Sequence, residues 1–96
     1  MNPAYVPLAS RLLADSQVLV CTVVGFPLGA TLPTQKTFEA LSCLHFGASE
    51  IDMVMNIGAL KSEAYGLVLN DVGSVAQIVH NQKTSAIALV FIYSYP

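Results

Sequence analysis

Charged side chains are scarce in this sequence. Only 10% of the 96 residues carry a charge, whereas 54% are hydrophobic, and a chain this apolar is not expected to be disordered. The four basic residues are scattered along the chain, at Arg11, Lys36, Lys61 and Lys83. They form no patch for a phosphate backbone, so the sequence predicts no nucleic-acid partner. A surface with so few charges is poorly protected against association, which indicates a chain that meets a partner or belongs to a larger structure.

Cysteine is rare as well, and neither cysteine has a pairing or metal-binding spacing. Cys21 and Cys43 lie in apolar surroundings, which predicts free buried thiols in a reducing compartment. His45 and His80 lack ligand partners at metal spacing. The start of the chain shows no signal-peptide pattern, and glycines and prolines would interrupt a spanning helix in the uncharged segment 16–35. We therefore predict a cytoplasmic protein with no membrane span and no metal site.

Helical and strand patterns alternate along the chain. The continuous β-branched run VLVCTVV is typical of a strand that is covered on both faces, as in parallel sheets. Strands are predicted over 18–24, 50–57 and 85–93, and the first helix over 5–13. A second helix runs from Pro33 towards Gly47, with an apolar stripe at Phe38, Leu41 and Leu44. A third helix between the last two strands has one apolar face, formed by Ala64, Val68, Val72, Val75 and Val79. This alternation predicts right-handed parallel βαβ units and an α/β fold.

Three parallel strands are few for a complete α/β domain. The two outer strands would expose long apolar edges, which favour pairing with other chains. A closed barrel or a doubly wound sheet normally contains more strands than this. The sequence therefore predicts a slice of a larger sheet.

One carboxylate lies inside an apolar strand. Asp52 belongs to the run EIDMVMNI, where an isolated charge would be costly unless it is paired or binds a proton. The strand period places Asp52 and Val54 on one face, and Ile51 and Met53 on the other. Glu50, at the start of the strand, is expected to face solvent or a neighbouring helix. The residues alone leave two roles open for Asp52: a structural acid paired with a backbone turn, or an acid that does chemistry.

Four segments together resemble one enzyme family. VCTVVGFPLGA (20–30), KTFEA (36–40) and GASEIDMVMNIGALKSEAY (47–65) closely resemble deoxyribose-phosphate aldolases. NPAYVPLA (2–9) resembles the segment that follows the first barrel strand in that family. The resemblance covers roughly residues 2–80 and is far more specific than a single glycine-rich loop.

The resemblance implies both a fold and an activity. Residues 1–96 would form part of one (β/α)8 barrel domain, a parallel βαβαβ slice of about three strands, with a divergent last strand at 84–96. The implied enzyme is a class I aldolase that reversibly cleaves 2-deoxy-D-ribose 5-phosphate into glyceraldehyde 3-phosphate and acetaldehyde. It would act on this small phosphosugar through a lysine Schiff base, with no metal or other cofactor.

The resemblance also assigns a role to Asp52. The family's motif places its catalytic aspartate at this position, inside the barrel and beside lysines. There the carboxylate would carry protons to and from the substrate, the work of a general acid and base. The GFPLG loop (25–29) lacks the spacing of known phosphate cradles, and we expect it to line the barrel mouth.

The family's Schiff-base lysine has no counterpart in this chain. That lysine lies on a later strand, in a KTSTG-like context, whereas the KTS at 83–85 follows polar residues and comes too early. Lys83 and Lys61 are therefore predicted to be solvated loop lysines. We expect a partial coding sequence, frameshifted near residue 83, whose product is inactive by itself. Two alternatives stay open: a non-catalytic relative that binds or associates through its strand edges, and an independent small α/β binding module.

Overall fold

The chain forms a three-stranded parallel sheet with its longer helices packed on one side. The computed structural model describes residues 1–82 and 86–91. Lys83 and the end of the predicted last strand therefore lie outside the described residues. The elements are a 3-10 turn at Pro3–Tyr5, α1 at Val6–Leu12, β1 at Cys21–Val24, α2 at Pro33–His45, β2 at Glu50–Val54, α3 at Ile57–Lys61, α4 at Tyr65–Gln82 and β3 at Ile87–Phe91.

The sheet has the order β1-β2-β3, with every neighbouring pair parallel. In this register Val23 lies opposite Asp52, which in turn lies opposite Leu89. The predicted α/β fold with parallel βαβ units is thus confirmed. None of the helices in residues 1–82 and 86–91 combines the length and the apolarity needed to cross a membrane.

The second strand ends three residues earlier than predicted. Asn56 leaves the extended pattern and caps α3, where its side-chain Oδ1 accepts a hydrogen bond from the backbone N–H of Ala59 at 3.1 Å. A side chain that satisfies an otherwise unpaired N–H in this way favours a helix start. The predicted strand over 50–57 therefore becomes β2 followed by the short helix α3.

Helix α2 begins at Pro33 as predicted, but it buries a different face. Its buried residues are Lys36, Ala40 and Cys43, at the spacing of one helical face. Phe38 is 74% exposed, so the predicted apolar stripe through Phe38 is wrong. Two residues along a helix correspond to about 200°, and Phe38 therefore points away from the side occupied by Lys36 and Ala40. In α4 the predicted face is confirmed, because Val75 and Val79 are buried.

The two faces of the sheet have different environments. Thr22, Val24, Ile51 and Met53 are fully buried, and the three apolar ones pack in one core with residues of α2 and α4. The opposite face is half-buried except at Val54, which is fully buried at the end of β2, and Leu89 in β3 is 46% exposed. We call its half-buried and exposed part the open face; its described side chains are Cys21, Val23, Glu50, Asp52 and Leu89. Ile51 and Met53 thus point away from Asp52, as the strand period predicts.

Candidate functional site

Asp52 lies in the middle of the open face and is half-buried there. Its Oδ2 accepts a hydrogen bond from the thiol of Cys21 on the neighbouring strand, with an Sγ–Oδ2 distance of 3.3 Å. Its Oδ1 is buried and has no hydrogen-bond partner among the described residues. A buried acceptor without a donor is destabilising, and native structures contain few of them. The structural alternative, an acid paired with a backbone turn, is therefore not what the structure shows.

Cys21 and Glu50 surround the carboxylate of Asp52. The pKa of the Cys21 thiol is raised to about 11, mainly by burial, and then by its hydrogen bond to Asp52 and by the negative charges of Asp52 and Glu50. The ammonium group of Met1 acts in the opposite direction. The thiol therefore stays protonated at neutral pH and remains a hydrogen-bond donor. Glu50, expected to face solvent or a helix, instead lies beside this acid–thiol pair.

The same three side chains could be considered as metal ligands. Cys21, Glu50 and Asp52 each offer one ligand atom, and these atoms lie within 4.8 Å of one another. Cysteine binds metals as a thiolate, however, whereas the Cys21 thiol here donates its proton in a hydrogen bond to Asp52. We therefore interpret the group as a hydrogen-bonded acid and thiol with a neighbouring carboxylate, and assign no metal to it.

A buried ion pair lies next to the C-terminal ends of β1 and β2. The Nζ of Lys36 is 2.8 Å from each carboxylate oxygen of Asp71, and both side chains are almost fully buried. Oδ2 of Asp71 also accepts a hydrogen bond from the backbone N–H of Asn56 at 2.7 Å. The pair thus joins α2, α4 and the segment that follows β2. Since Lys36 belongs to a buried pair, it is not available as a surface cation.

Sequence reasoning missed this pair, although the helical spacing contains a signal for it. Lys36 precedes the buried residues Ala40 and Cys43 by four and seven positions, and so shares their face. Asp71 precedes Val75 by four positions on the predicted apolar face of α4. Two opposite charges at core positions of neighbouring helices indicate a buried pair, because an unpaired charge there would be destabilising.

The loop over 25–32 follows β1 and approaches the end of β2. The backbone N–H of Gly25 donates to Oε1 of Glu39 at 2.9 Å, and the stem of Lys36 packs against Gly25. Gly29 has a φ of +63°, and a Cβ at this position would collide with the backbone oxygen of Met55. Only glycine allows this close approach. The loop borders a cleft of about 300 Å³.

The other singled-out residues, Lys61 and the two histidines, lie in the last turns of helices. Lys61 is the last residue of α3 and is exposed, so it ends a helix instead of lying in a loop. His45, at the end of α2, contacts Phe46 edge-to-face, with 5.0 Å between the ring centroids. His80 is exposed in the last turn of α4. Neither histidine belongs to a potential metal cluster within the described residues.

Comparisons with known proteins point to one enzyme family, although no family model matches the chain. The chain is 48% identical over 92 residues to the deoxyribose-phosphate aldolase of Carboxydothermus hydrogenoformans, and 50% identical over 94 residues to that of Lysinibacillus sphaericus. These matches cover 96% and 98% of the chain, but only 40% and 41% of the relatives. A solved tetrameric deoxyribose phosphate aldolase from Aeropyrum pernix matches with a TM-score of 0.78 and 29% identity, over 93% of the chain and 36% of that structure. The chain therefore spans about two fifths of the length of its relatives.

Proposed function

This chain belongs to the deoxyribose-phosphate aldolase family, and on that premise we propose that it forms the part of an aldolase that carries the proton-transferring acid, Asp52. The proposed reaction is the reversible Schiff-base cleavage of 2-deoxy-D-ribose 5-phosphate into glyceraldehyde 3-phosphate and acetaldehyde. The observation that carries the proposal is the half-buried carboxylate of Asp52 on the open face of the sheet, whose Oδ1 has no hydrogen-bond partner among the described residues. In a (β/α)8 barrel the corresponding face of the sheet would point to the interior.

The reaction requires proton transfers that a carboxylate can perform. A lysine amine adds to the sugar aldehyde, and the carbinolamine needs a proton to lose water and become an iminium. The 3-hydroxyl proton must then leave as the bond between carbons 2 and 3 breaks, with the electron pair passing to the iminium to give an enamine. The enamine is protonated at carbon 2 before hydrolysis releases acetaldehyde. Asp52 can accept and return these protons through its carboxylate, directly or through one water.

The surroundings of Asp52 suit this work. Oδ2 accepts a hydrogen bond from the Cys21 thiol, whereas Oδ1 has no partner among the residues that the structure describes. The acid projects from a strand, and a position on a strand is more precise than one on a mobile loop. The loop over 25–32 and the Lys36–Asp71 pair hold the adjacent ends of β1 and β2 in place. We propose these groups as supports for the site, with no direct contact to the substrate.

The test of the proposed function is a hybrid enzyme. In this hybrid, the matched residues of the Carboxydothermus hydrogenoformans aldolase are replaced by their counterparts from this chain. Cleavage of 2-deoxyribose 5-phosphate is monitored through the coupled oxidation or reduction of a product. We expect the hybrid to cleave the sugar phosphate, because the two sequences are 48% identical over this region. A hybrid with native circular dichroism but no cleavage would contradict the proposal.

By itself, the 96-residue chain is expected to form no Schiff base. The amine of Lys36 is enclosed in its ion pair with Asp71, and Lys61 is exposed, whereas Schiff-base lysines are usually desolvated or close to another cation. We predict that borohydride treatment with 2-deoxyribose 5-phosphate adds no mass to the chain. The Carboxydothermus hydrogenoformans aldolase serves as the positive control. A reduced adduct mapped to Lys61 or Lys83 would disprove this prediction.

We also propose that the isolated chain self-associates, which favours an association role over an independent binding module. Two apolar residues of β3, Leu89 and Val90, are 46% and 40% exposed, and β3 is an edge strand of the described sheet. Such edges favour pairing between chains. Size-exclusion chromatography is expected to show oligomers, with Leu89→Lys shifting the chain towards monomer. Leu12→Lys, at a position 73% exposed on α1, is the control and should leave the elution unchanged. A wild-type chain that elutes as a single monomer would refute this proposal.

We place the chain in the cytoplasm. Cys21 and Cys43 are both free thiols, and unpaired cysteines are typical of reducing compartments. Cell fractionation with an antibody against the chain tests this location, and recovery of the chain outside the cytoplasmic fraction would argue against it.

A further inference from the structure

The thiol of Cys21 belongs to the site, but the chemistry proposed for Asp52 does not use it. We propose that Cys21 is a positioning residue, whose thiol holds Oδ2 of Asp52 and so fixes the orientation of the carboxylate that exchanges protons. This inference rests on the proposed function, because it gives a direction to the proton transfer assigned to Asp52.

The strand register explains how the two side chains meet. Cys21 lies opposite Glu50, and Asp52 lies opposite Val23, so the thiol reaches Asp52 diagonally across two hydrogen-bonded strands. The Sγ–Oδ2 distance of 3.3 Å is that of a sulfur hydrogen bond to a carboxylate. Because both residues are in the ladder, neither backbone can shift to relieve a lost contact. The orientation of the carboxylate therefore depends on the donor.

The donor remains protonated under the conditions in which an aldolase works. Burial, followed by the hydrogen bond and charge of Asp52, raises the pKa of the Cys21 thiol to about 11. The charged groups that influence this thiol are Asp52, Glu50 and the ammonium group of Met1. An alanine at position 21 would provide no donor, whereas a serine would keep one on a shorter bond. These two substitutions therefore separate the donor function from simple packing.

A carboxylate that is held by a hydrogen bond at one oxygen keeps one orientation. Correct alignment of reacting groups is a large part of catalysis, and a small misplacement lowers the rate strongly. Without the thiol, Asp52 could rotate about its Cα–Cβ bond, and its carboxylate could leave the position in which it meets the substrate. Cys21 would thus influence the orientation of the reacting carboxylate, without contacting the substrate itself.

The first test measures the orientation of Asp52 in the 96-residue chain. Three-bond couplings of isotopically labelled protein report the populations of its side-chain rotamers. We expect one dominant rotamer in the wild-type chain, mixed rotamers in Cys21→Ala, and recovery of the dominant rotamer in Cys21→Ser. Amide chemical shifts of Ile51 and Met53 identify any variant that has lost its fold. A single unchanged rotamer in folded Cys21→Ala would overturn the inference.

The second test measures the thiol and does not require position 21 to be changed. Alkylation of Cys21 by iodoacetamide, resolved from Cys43 by peptide mass spectrometry, reports the thiolate fraction as a function of pH. Asp52→Asn removes a negative charge that raises the thiol pKa, so the pKa should fall and alkylation at pH 8 should become about threefold faster. This figure allows for the lower nucleophilicity of a less basic thiolate.

Glu50→Gln is the matched control for the alkylation test, because Glu50 has a smaller influence on the same thiol. We expect its effect on the rate to be smaller than that of Asp52→Asn. Cys21 and Asp52 would not be coupled if Asp52→Asn left the alkylation rate of Cys21 at the wild-type value. The same conclusion would follow if Glu50→Gln changed that rate more than Asp52→Asn does. Neither test involves turnover, so a failure of the inference is distinguishable from an inactive hybrid enzyme.

Discussion

Replacement of Lys36 by methionine is expected to lower the free energy of unfolding by about 3–5 kcal/mol, the effect of removing one partner of a buried ion pair. The substitution roughly preserves side-chain length but leaves the carboxylate of Asp71 buried without its cation. Only the backbone N–H of Asn56 would remain as its donor in the described structure. The loss should appear as a lower midpoint of urea unfolding, and this unfolding is monitored by far-ultraviolet circular dichroism.

Two further variants determine whether the pair itself is responsible. Arg11→Met removes an exposed cation on α1 and should change the unfolding free energy by no more than about 0.5 kcal/mol. The double substitution Lys36→Met with Asp71→Leu removes both charges, and should be less destabilising than Lys36→Met alone. If Lys36→Met behaved like Arg11→Met, the buried pair would have no part in stability.

Substitution of Asp52 by asparagine in the hybrid aldolase is expected to lower kcat by about 10²–10⁴-fold, the usual contribution of a general acid or base. Asparagine has nearly the same shape and keeps an acceptor for the Cys21 thiol, but it cannot take up a proton. The KM for 2-deoxyribose 5-phosphate should change little, because the substitution affects proton transfer more than substrate binding. Initial rates over a range of substrate concentrations separate the two constants.

Asp15→Asn is the matched control for the kinetic experiment. It makes the same chemical change at an exposed position after α1 and should leave kcat within about twofold, since it touches none of the groups that transfer protons. Circular dichroism of both hybrids verifies that the fold is intact. A folded Asp52→Asn hybrid with the kcat of the Asp15→Asn control would remove Asp52 from the mechanism.

Helical and strand periods predicted the order of the main elements, but not the details at their ends. The run EIDMVMNI is apolar throughout, so pattern alone extends it to residue 57, whereas β2 ends at Val54 because Asn56 caps α3. The stripe through Phe38 was wrong for a different reason. Helical periodicity does not decide which side faces the sheet, and the packing places Lys36, Ala40 and Cys43 there.

The candidate site was also only partly predictable from the sequence. Asp52 is recognisable as a charge in an apolar strand, and the strand period correctly separates it from Ile51 and Met53. Its contact with Cys21 was not predictable, because the two residues are 31 positions apart in sequence and meet only through the register between their strands. The Lys36–Asp71 pair depends in the same way on how α2 and α4 pack against each other.

The sequence by itself determined the alternation of helices and strands, the parallel α/β class, the family and the position of the acid within its strand. These follow from local periodicity and from motifs, which are properties of neighbouring residues. Only the tertiary structure decided that the Cys21 thiol occupies one oxygen of Asp52 and that Lys36 is enclosed with Asp71. Both contacts join residues far apart in the chain, and their formation depends on the register and packing of whole elements.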